Sequence, residues 1–153
     1  DREALHNALQ EKTIAHYVTD FPSNELRDLD AVISLPHLGA STVEAEENCA
    51  VMAAEQIKAF LEEGTIKYSV NFPVASLPAS THPRLAIVNH NVPNMVAQMS
   101  SVLSQEKINI LDMVNTSRDD IAYTLLDTDK TPHAKTLDQL AAIDGVVRVR
   151  LIK

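Results

Sequence analysis

The chain contains little of what several protein classes require. Its 153 residues include one cysteine, three glycines and no tryptophan. A single cysteine excludes a disulfide framework and a cysteine-rich metal site. No apolar run approaches the ~20 residues that cross a bilayer, so we expect no membrane partner. No signal peptide is visible, and this absence together with the cysteine count favours a cytoplasmic location.

Basic residues are scarce, and the shortage lies in one half of the chain. Residues 83–153 carry eight basic and eight acidic side chains, whereas residues 1–82 carry five basic and thirteen acidic ones, which accounts for the net charge of -8. Without a basic stripe, we expect no nucleic-acid partner. The change in charge, with Pro78 and Ser80 close to it, predicts a linker over residues 76–82.

The first segment, residues 1–75, has the pattern of an α/β protein. Short runs over 13–19 and 29–35 predict strands, and a long helix is expected from Thr42 to Gly64 with Ser41 and Glu44 as a capping box. Six residues are predicted to form one apolar stripe on that helix: Cys49, Met52, Ala53, Ile57, Phe60 and Leu61. We interpret Cys49 as a core residue rather than a nucleophile. Two strands are too few for a doubly wound parallel sheet. We therefore interpret the segment as the C-terminal remnant of a doubly wound Rossmann-like domain. The start at Asp1 fits a piece of a longer protein.

The second segment, residues 83–153, predicts a complete ferredoxin-like βαββαβ unit. Its strands and helices are expected to alternate over six ranges: 85–89, 93–105, 108–115, 121–127, 132–142 and 146–152. The fold class is thus α/β plus α+β, with two domains joined by the linker.

His37 is the strongest candidate for chemistry from the residues alone. It follows a buried apolar strand and precedes a well-capped helix, so it lies on a short loop. An imidazole titrates near neutral pH, as general acid–base chemistry requires. A hydrogen-bonded core histidine is the alternative. Four further histidines, His6, His16, His82 and His133, lack metal-ligand spacing, so we expect no metal site.

Both segments resemble known families. The run 36–42, Pro-His-Leu-Gly-Ala-Ser-Thr, followed by Glu44-Ala45 and Asn48, resembles the catalytic-histidine motif of the D-isomer-specific 2-hydroxyacid dehydrogenases. The run 69–73, Ser-Val-Asn-Phe-Pro, resembles the exit of the helix that returns to their substrate-binding domain. Residues 83–153 resemble an ACT domain, a small amino-acid-binding regulatory module. The tandem order is similar to that of the serine-biosynthetic members.

The resemblance implies an NAD-dependent oxidation in which His37 removes the proton of a substrate hydroxyl. Glu25 is expected to pair with His37, although it is displaced by one position from the family glutamate. Asp20, Gly39 and Ala40 are expected to face the cofactor. Because the Gly-rich dinucleotide fingerprint cannot be formed from the three glycines present, we expect this chain alone neither to bind NAD tightly nor to turn over.

The ACT resemblance implies an effector site formed by Asn89, Asn91 and Asn109. Carboxamides both donate and accept hydrogen bonds, which suits L-serine or another amino acid. Asn94 replaces a glycine of the family pattern, and asparagine tolerates a positive φ better than most residues. The alternatives are that these asparagines are caps and turn formers, or that His90 is the effector contact. An exposed edge strand of this domain is expected to form a homodimer.

Two other functions remain open from the sequence. The chain is either a non-enzymatic amino-acid sensor that retains a remnant of a dehydrogenase, or a fragment of a dehydrogenase for another D-2-hydroxy acid whose ACT unit is structural only. A strand and a Gly-rich turn before Asp1 would favour a dehydrogenase over the sensor. Serine binding would separate the two dehydrogenases.

Overall fold

A computed structural model of the chain describes residues 1–152. It divides into two compact units, Asp1–Ala50 and a second unit that begins at Val51. The division falls within the longest helix, and each unit is described below by itself. In the part of the chain that the structure describes, no helix combines the length and the apolar character that a membrane crossing demands.

The first unit is built around two parallel strands. Along the chain it contains α1 (Arg2–Gln10), β1 (Tyr17–Thr19), α2 (Asn24–Arg27), β2 (Val32–Ser34) and the start of α3 (Val43–Glu63). β1 pairs with β2 in parallel, with Tyr17 opposite Val32 and Thr19 opposite Ser34. Parallel neighbours need a crossover connection, which α2 and its loops provide. The α/β character expected for this segment is confirmed.

The start of α3 differs from the predicted capping box. The hydroxyl that caps the helix belongs to Thr42, whose Oγ1 accepts a hydrogen bond from the Ala45 amide at 3.1 Å. Ser41 instead lies in the turn before the helix, where its amide donates to the carbonyl of Leu38 at 3.0 Å. A cap bond from the N-cap side chain to the third helical amide is the usual geometry, so the cap lies one residue later than predicted.

The second unit has the βαββαβ order that the sequence predicts. It contains β3 (Arg84–His90), α4 (Met95–Gln105), β4 (Ile110–Arg118), β5 (Ile121–Thr128), α5 (Ala134–Ala141) and β6 (Val146–Leu151). The sheet order is β4-β5-β3-β6, and every neighbouring pair is antiparallel. This is the ferredoxin-like arrangement, so the α+β fold of the ACT-like unit is confirmed.

Two apolar clusters cover the two faces of this sheet. The first lies under α4 and α5 and includes Leu85, Ile87, Met99, Leu103 and Leu140. The second, on the opposite face, consists of Ile66, Ala75, Leu77, Ala86, Tyr123 and Leu125. Strand side chains alternate between faces, so one sheet supports both clusters. The segment after α3 therefore packs on the second face of the ACT-like sheet.

A buried ion pair on the sheet also contacts the segment that follows α3. Arg84 is 2% exposed, and its guanidinium donates to both carboxylate oxygens of Asp127, at 2.6 and 2.8 Å. It also donates to the carbonyls of Glu63 at 3.2 Å and Pro78 at 2.7 Å. The boundary between the two compact units lies between Ala50 and Val51, not at the predicted linker over residues 76–82. The domain boundaries 1–75, 76–82 and 83–153 stay a prediction.

The apolar stripe of α3 is not buried. None of the 21 residues of the helix is buried, and Cys49, interpreted from the sequence as a core residue, is exposed. That interpretation is wrong for this chain. Met52, Ile57 and Leu61 are also exposed. Periodicity identifies an apolar face, but it does not identify what lies against that face.

Candidate active-site loop and effector cavity

His37 is paired with Asp20 in the first unit. The distance from His37 Nδ1 to Asp20 Oδ2 is 3.0 Å, within hydrogen-bonding range. Asp20 directly follows β1, and His37 lies three residues after the end of β2. Because β1 and β2 are parallel, their carboxyl ends lie side by side, and the two side chains that follow them meet.

The His37 ring lies at the surface rather than in a closed core. Its side chain is 68% exposed, and the Asp20 side chain is 51% exposed. Phe21 packs edge-on against the imidazole, with ring centroids 5.4 Å apart and an interplanar angle of 77°. With Nδ1 directed at the carboxylate, Nε2 is the ring nitrogen left for a substrate. The arrangement can move a proton between Nε2 and a bound hydroxyl.

The structure does not bring Glu25 to His37. Glu25 is the second residue of α2 and lies in its first turn. A hydrogen bond from its own backbone amide holds the pKa of the Glu25 carboxyl below its usual range. The pairing partner observed for His37 is therefore Asp20, which sequence reasoning had expected to face the cofactor. The signal that would have found it is the place of Asp20 at the carboxyl end of a parallel strand.

Gly39 and Ala40 form an exposed turn between His37 and α3. A Cβ added to Gly39 would meet no atom within 4 Å, so one side of the turn is open. This open backbone fits the close approach of a planar ligand at the carboxyl ends of the strands. Among residues 1–152, no group of three His, Cys, Asp or Glu side chains is arranged to hold a metal ion.

Asn89 and Asn91 line one small cavity in the second unit. The cavity has a volume of about 160 Å³ and lies between the end of β3, the start of α4 and the middle of β4. Asn89 is 1% exposed; its Nδ2 donates to the carbonyl of His90 at 2.7 Å, and its Oδ1 is buried without a hydrogen-bond partner in the described chain. Asn91 Nδ2 donates to the carbonyl of Asp119 at 3.1 Å.

Asn109 lies at the other end of the same sheet. Its amide donates to a carboxylate oxygen of Asp129 at 2.9 Å, whereas Asn89 lies opposite Ala122. Ala122 is the second residue of β5 and Asp129 directly follows that strand, so the two are seven positions or ~20 Å apart along it. Within one copy, the structure therefore brings Asn89 and Asn91 together and leaves Asn109 apart.

Asn94 adopts the backbone conformation expected of the glycine that it replaces. Its φ is 73° and its ψ is 4°, in the left-handed region, and it is the N-cap of α4 without a capping side-chain hydrogen bond. Asparagine reaches this region at lower cost than most residues with a side chain. The expectation that the turn survives is confirmed.

Comparison with known proteins gives the relatives of the chain. It is 29% identical over 165 aligned positions to the D-3-phosphoglycerate dehydrogenase of Escherichia coli K12, covering 99% of this chain and 40% of that protein. The Haemophilus influenzae protein of the same name is 31% identical over 128 positions, covering 83% of this chain and 31% of that one. The chain is a relative of the D-3-phosphoglycerate dehydrogenases. It spans about two fifths of the length of the Escherichia coli protein. No protein-family model matches it.

Solved structures also align with part of this chain. The ACT domain from GTP pyrophosphokinase of Chlorobium tepidum covers 45% of this chain and 94% of its own, with a TM-score of 0.40 and 24% identity. The regulatory subunit of aspartate kinase from Thermus thermophilus covers 46% of this chain and 49% of its own, with a TM-score of 0.39 and 13% identity. The strand order of the second unit establishes its fold independently.

Sequence reasoning missed one residue of the cavity. Asn115, in the middle of β4, lines it together with Asn89 and Asn91. Its Nδ2 donates to Oγ1 of the fully buried Thr124 at 2.6 Å. Because β4 also carries Asp112, Thr116, Ser117 and Arg118, no pattern in the sequence distinguishes Asn115 from its neighbours.

Proposed function

We propose that this chain is the C-terminal portion of an NAD-dependent D-3-phosphoglycerate dehydrogenase of serine biosynthesis. It contributes the acid–base histidine and an amino-acid-binding regulatory domain. The observation that carries the proposal is the His37–Asp20 pair at the carboxyl ends of two parallel strands. Similarity to such enzymes over 99% of the chain supports it. The proposal includes a cytoplasmic location.

His37 acts as the base in the direction of oxidation. Asp20 receives the hydrogen bond from Nδ1, so the imidazole is oriented with Nε2 towards the hydroxyl of a 3-phosphoglycerate-type substrate. Nε2 takes the hydroxyl proton, and in the reverse direction His37 returns it to the carbonyl oxygen. Asp20 stabilises the resulting imidazolium by its negative charge. NAD, when bound, supplies the acceptor for the hydride.

Only part of a cofactor site can come from this chain. The open turn of Gly39 and Ala40 fits one edge of a nicotinamide cofactor. The phosphate-binding turn requires glycines that the chain does not have. We therefore expect the isolated chain to leave NADH unoxidised in the presence of a 2-keto acid. Rapid oxidation by the purified chain would contradict this division of the site.

The matching experiment uses the complete polypeptide that carries this chain. We expect it to oxidise NADH with the keto acid of 3-phosphoglycerate. The variant Glu25→Gln tests whether the Glu25 carboxylate also contributes to this activity. A complete polypeptide that binds an amino acid but transfers no hydride would favour the non-enzymatic sensor. Activity restricted to another 2-keto acid would favour the dehydrogenase for another D-2-hydroxy acid.

The regulatory half binds its amino acid in the cavity of Asn89 and Asn91. β4 is an edge strand of the sheet, and it exposes Leu111 and Met113. Two copies of β4 paired about a two-fold axis run antiparallel, so the start of one strand lies beside the end of the other. Asn109 of a second copy then approaches the end of the sheet that holds Asn91. A homodimer thus reunites the three predicted effector residues.

Sedimentation tests this dimer directly. At tens of micromolar we expect the wild-type chain to sediment as a dimer, and Met113→Asp to shift it towards monomer because two like charges would face each other across the shared edge. Val147→Asp, on the opposite edge strand β6, is the matched control and keeps the dimer. A monomeric wild-type chain, or equal disruption by both variants, contradicts pairing through β4.

A further inference from the structure

We propose that Phe21 is a positioning residue for His37, and that its ring keeps the imidazole in the tautomer that can accept a proton at Nε2. The inference rests on the proposed dehydrogenase function of this loop and deepens it. Phe21 carries no reactive group, so its role in the reaction acts through His37.

The proposed reaction requires one particular tautomer of His37. A histidine that takes a hydroxyl proton at Nε2 must carry its own proton on Nδ1 beforehand. The Asp20 carboxylate favours that tautomer, because it accepts a hydrogen bond from Nδ1 at 3.0 Å. Both side chains are more than half exposed, and a surface pair of this kind contributes at most about fivefold to an equilibrium. Asp20 alone therefore leaves the imidazole free to turn to other orientations.

Phe21 supplies a second contact to the same ring. Its phenyl group meets the imidazole with ring centroids 5.4 Å apart and an interplanar angle of 77°, an edge-to-face geometry that aromatic pairs prefer. No other hydrogen bond or aromatic contact to the His37 ring occurs within residues 1–152. An aromatic pair contributes about 2–10-fold to an equilibrium, which is comparable with the contribution of Asp20. Two contacts to one imidazole restrict its rotation, whereas the single contact at Nδ1 does not.

A turn after β1 brings both side chains to His37. Asp20 and Phe21 are consecutive, and consecutive side chains of an extended strand point in opposite directions. Here the Phe21 amide donates to Thr19 Oγ1 at 3.1 Å, a hydrogen bond that forms a turn through the threonine side chain. Because Phe21 is 79% exposed, replacing its ring removes little packing. Its effect on His37 can therefore be separated from an effect on folding.

Nitrogen-15 NMR of the histidine rings in the full-length 153-residue chain measures the tautomer, at a pH where the imidazole is neutral. We expect wild type to hold the proton of His37 on Nδ1. Phe21→Leu keeps an apolar side chain without the ring, and it should lower the ratio of the Nδ1–H to the Nε2–H tautomer by about 2–10-fold. Phe21→Tyr keeps the ring and should match the wild-type ratio. Tyr68→Leu, which removes an exposed aromatic ring from the second unit, is the matched control and should leave the ratio unchanged.

Kinetics of the complete polypeptide give a second readout. We expect Phe21→Leu to lower kcat for NADH oxidation with the keto acid of 3-phosphoglycerate by about 2–10-fold and to leave KM within about twofold. Phe21→Tyr should retain the wild-type kcat. A loss confined to KM would make Phe21 a substrate contact and would overturn the positioning role.

The outcomes separate this inference from the proposed function. A tautomer ratio that is the same in wild type and Phe21→Leu overturns the role of Phe21 and leaves the proposed function standing. Equal losses from Phe21→Leu and Phe21→Tyr also overturn it, because the second variant keeps the aromatic ring. A wild-type polypeptide that transfers no hydride overturns the proposed function, whereas the tautomer ratio still decides whether Phe21 orients the imidazole.

Discussion

Replacement of Arg84 by methionine tests how the ACT-like sheet is joined to the end of α3. The side chain is 2% exposed and makes four hydrogen bonds: two to Asp127 and one each to the carbonyls of Glu63 and Pro78. Methionine fills a similar volume but donates none of them. Arg84→Met therefore leaves the Asp127 carboxylate buried without its counter-charge.

The expected loss of stability is large. Breaking a buried ion pair by removing one partner costs about 3–5 kcal/mol. For a unit of this size, 1 kcal/mol shifts the melting temperature by ~4–8 °C, so we expect a drop of about 12 °C or more. Arg84→Met combined with Asp127→Leu should recover part of the loss, because an apolar pair leaves no buried charge.

The pH dependence gives an independent check on the same pair. Burial alone would raise the pKa of Asp127, but the hydrogen bonds and positive charge of Arg84 outweigh it and hold the pKa below its usual range. A lowered native pKa gives stability that is present above the unfolded value of about 3.9 and is lost as the pH falls through the native value. The difference between wild type and Arg84→Met should therefore shrink in acid.

Urea denaturation followed by circular dichroism measures these differences. Arg148→Met, which removes an exposed arginine from β6, is the matched control and should change the free energy of unfolding by less than about 0.5 kcal/mol. The reasoning is refuted if Arg84→Met is no more destabilising than Arg148→Met, or if its effect is the same at acidic and neutral pH.

Two further predictions concern the contacts beside this ion pair. Gly64→Ala should destabilise the second unit by about 2 kcal/mol or more. The φ of Gly64 is +72°, and the new Cβ would lie 2.5 Å from Ile152 Cδ1 and 2.6 Å from Leu125 Cδ2. A urea midpoint equal to that of wild type would contradict this close packing. Burial raises the pKa of Tyr123 to about 12, so stability should fall as the pH rises from about 10 to 12. Urea unfolding across that range should show a smaller fall for Tyr123→Phe, and equal falls would argue against a buried phenol.

The fold of the second unit could be predicted because its signals are local and complete. Alternating strands, two amphipathic helices and turn residues occur in the βαββαβ order, and Asn94 adopts the positive φ expected at its turn. Each strand finds its hydrogen-bonded neighbours within residues 84–151. Local pattern and tertiary packing therefore agree.

The candidate active site was less predictable because its geometry depends on strand pairing. The resemblance to the family motif predicted Glu25 as the partner of His37. In the structure, the parallel register of β1 and β2 brings Asp20 to His37 instead. Sequence spacing does not resolve a displacement of one residue in the loop after β1, yet that displacement decides which carboxylate reaches the His37 imidazole. The same limit applies to Asn115, since only the tertiary fold places the middle of β4 beside the start of α4.

The uncovered face of α3 shows what periodicity does not supply. The stripe through Met52, Ile57 and Leu61 has helical spacing, yet those side chains are exposed. An apolar stripe predicts that a face will be covered, and the identity of the cover is a property of tertiary structure.

The most direct test of the dehydrogenase account is NADH oxidation by the complete polypeptide carrying His37→Gln. The comparisons are wild type and His16→Gln, which changes an exposed histidine outside the loop. Loss of a general acid–base group lowers kcat by about 10²–10⁴-fold, so we expect that loss for His37→Gln and near wild-type kcat for His16→Gln. A His37→Gln enzyme with kcat within about twofold of wild type would contradict the account.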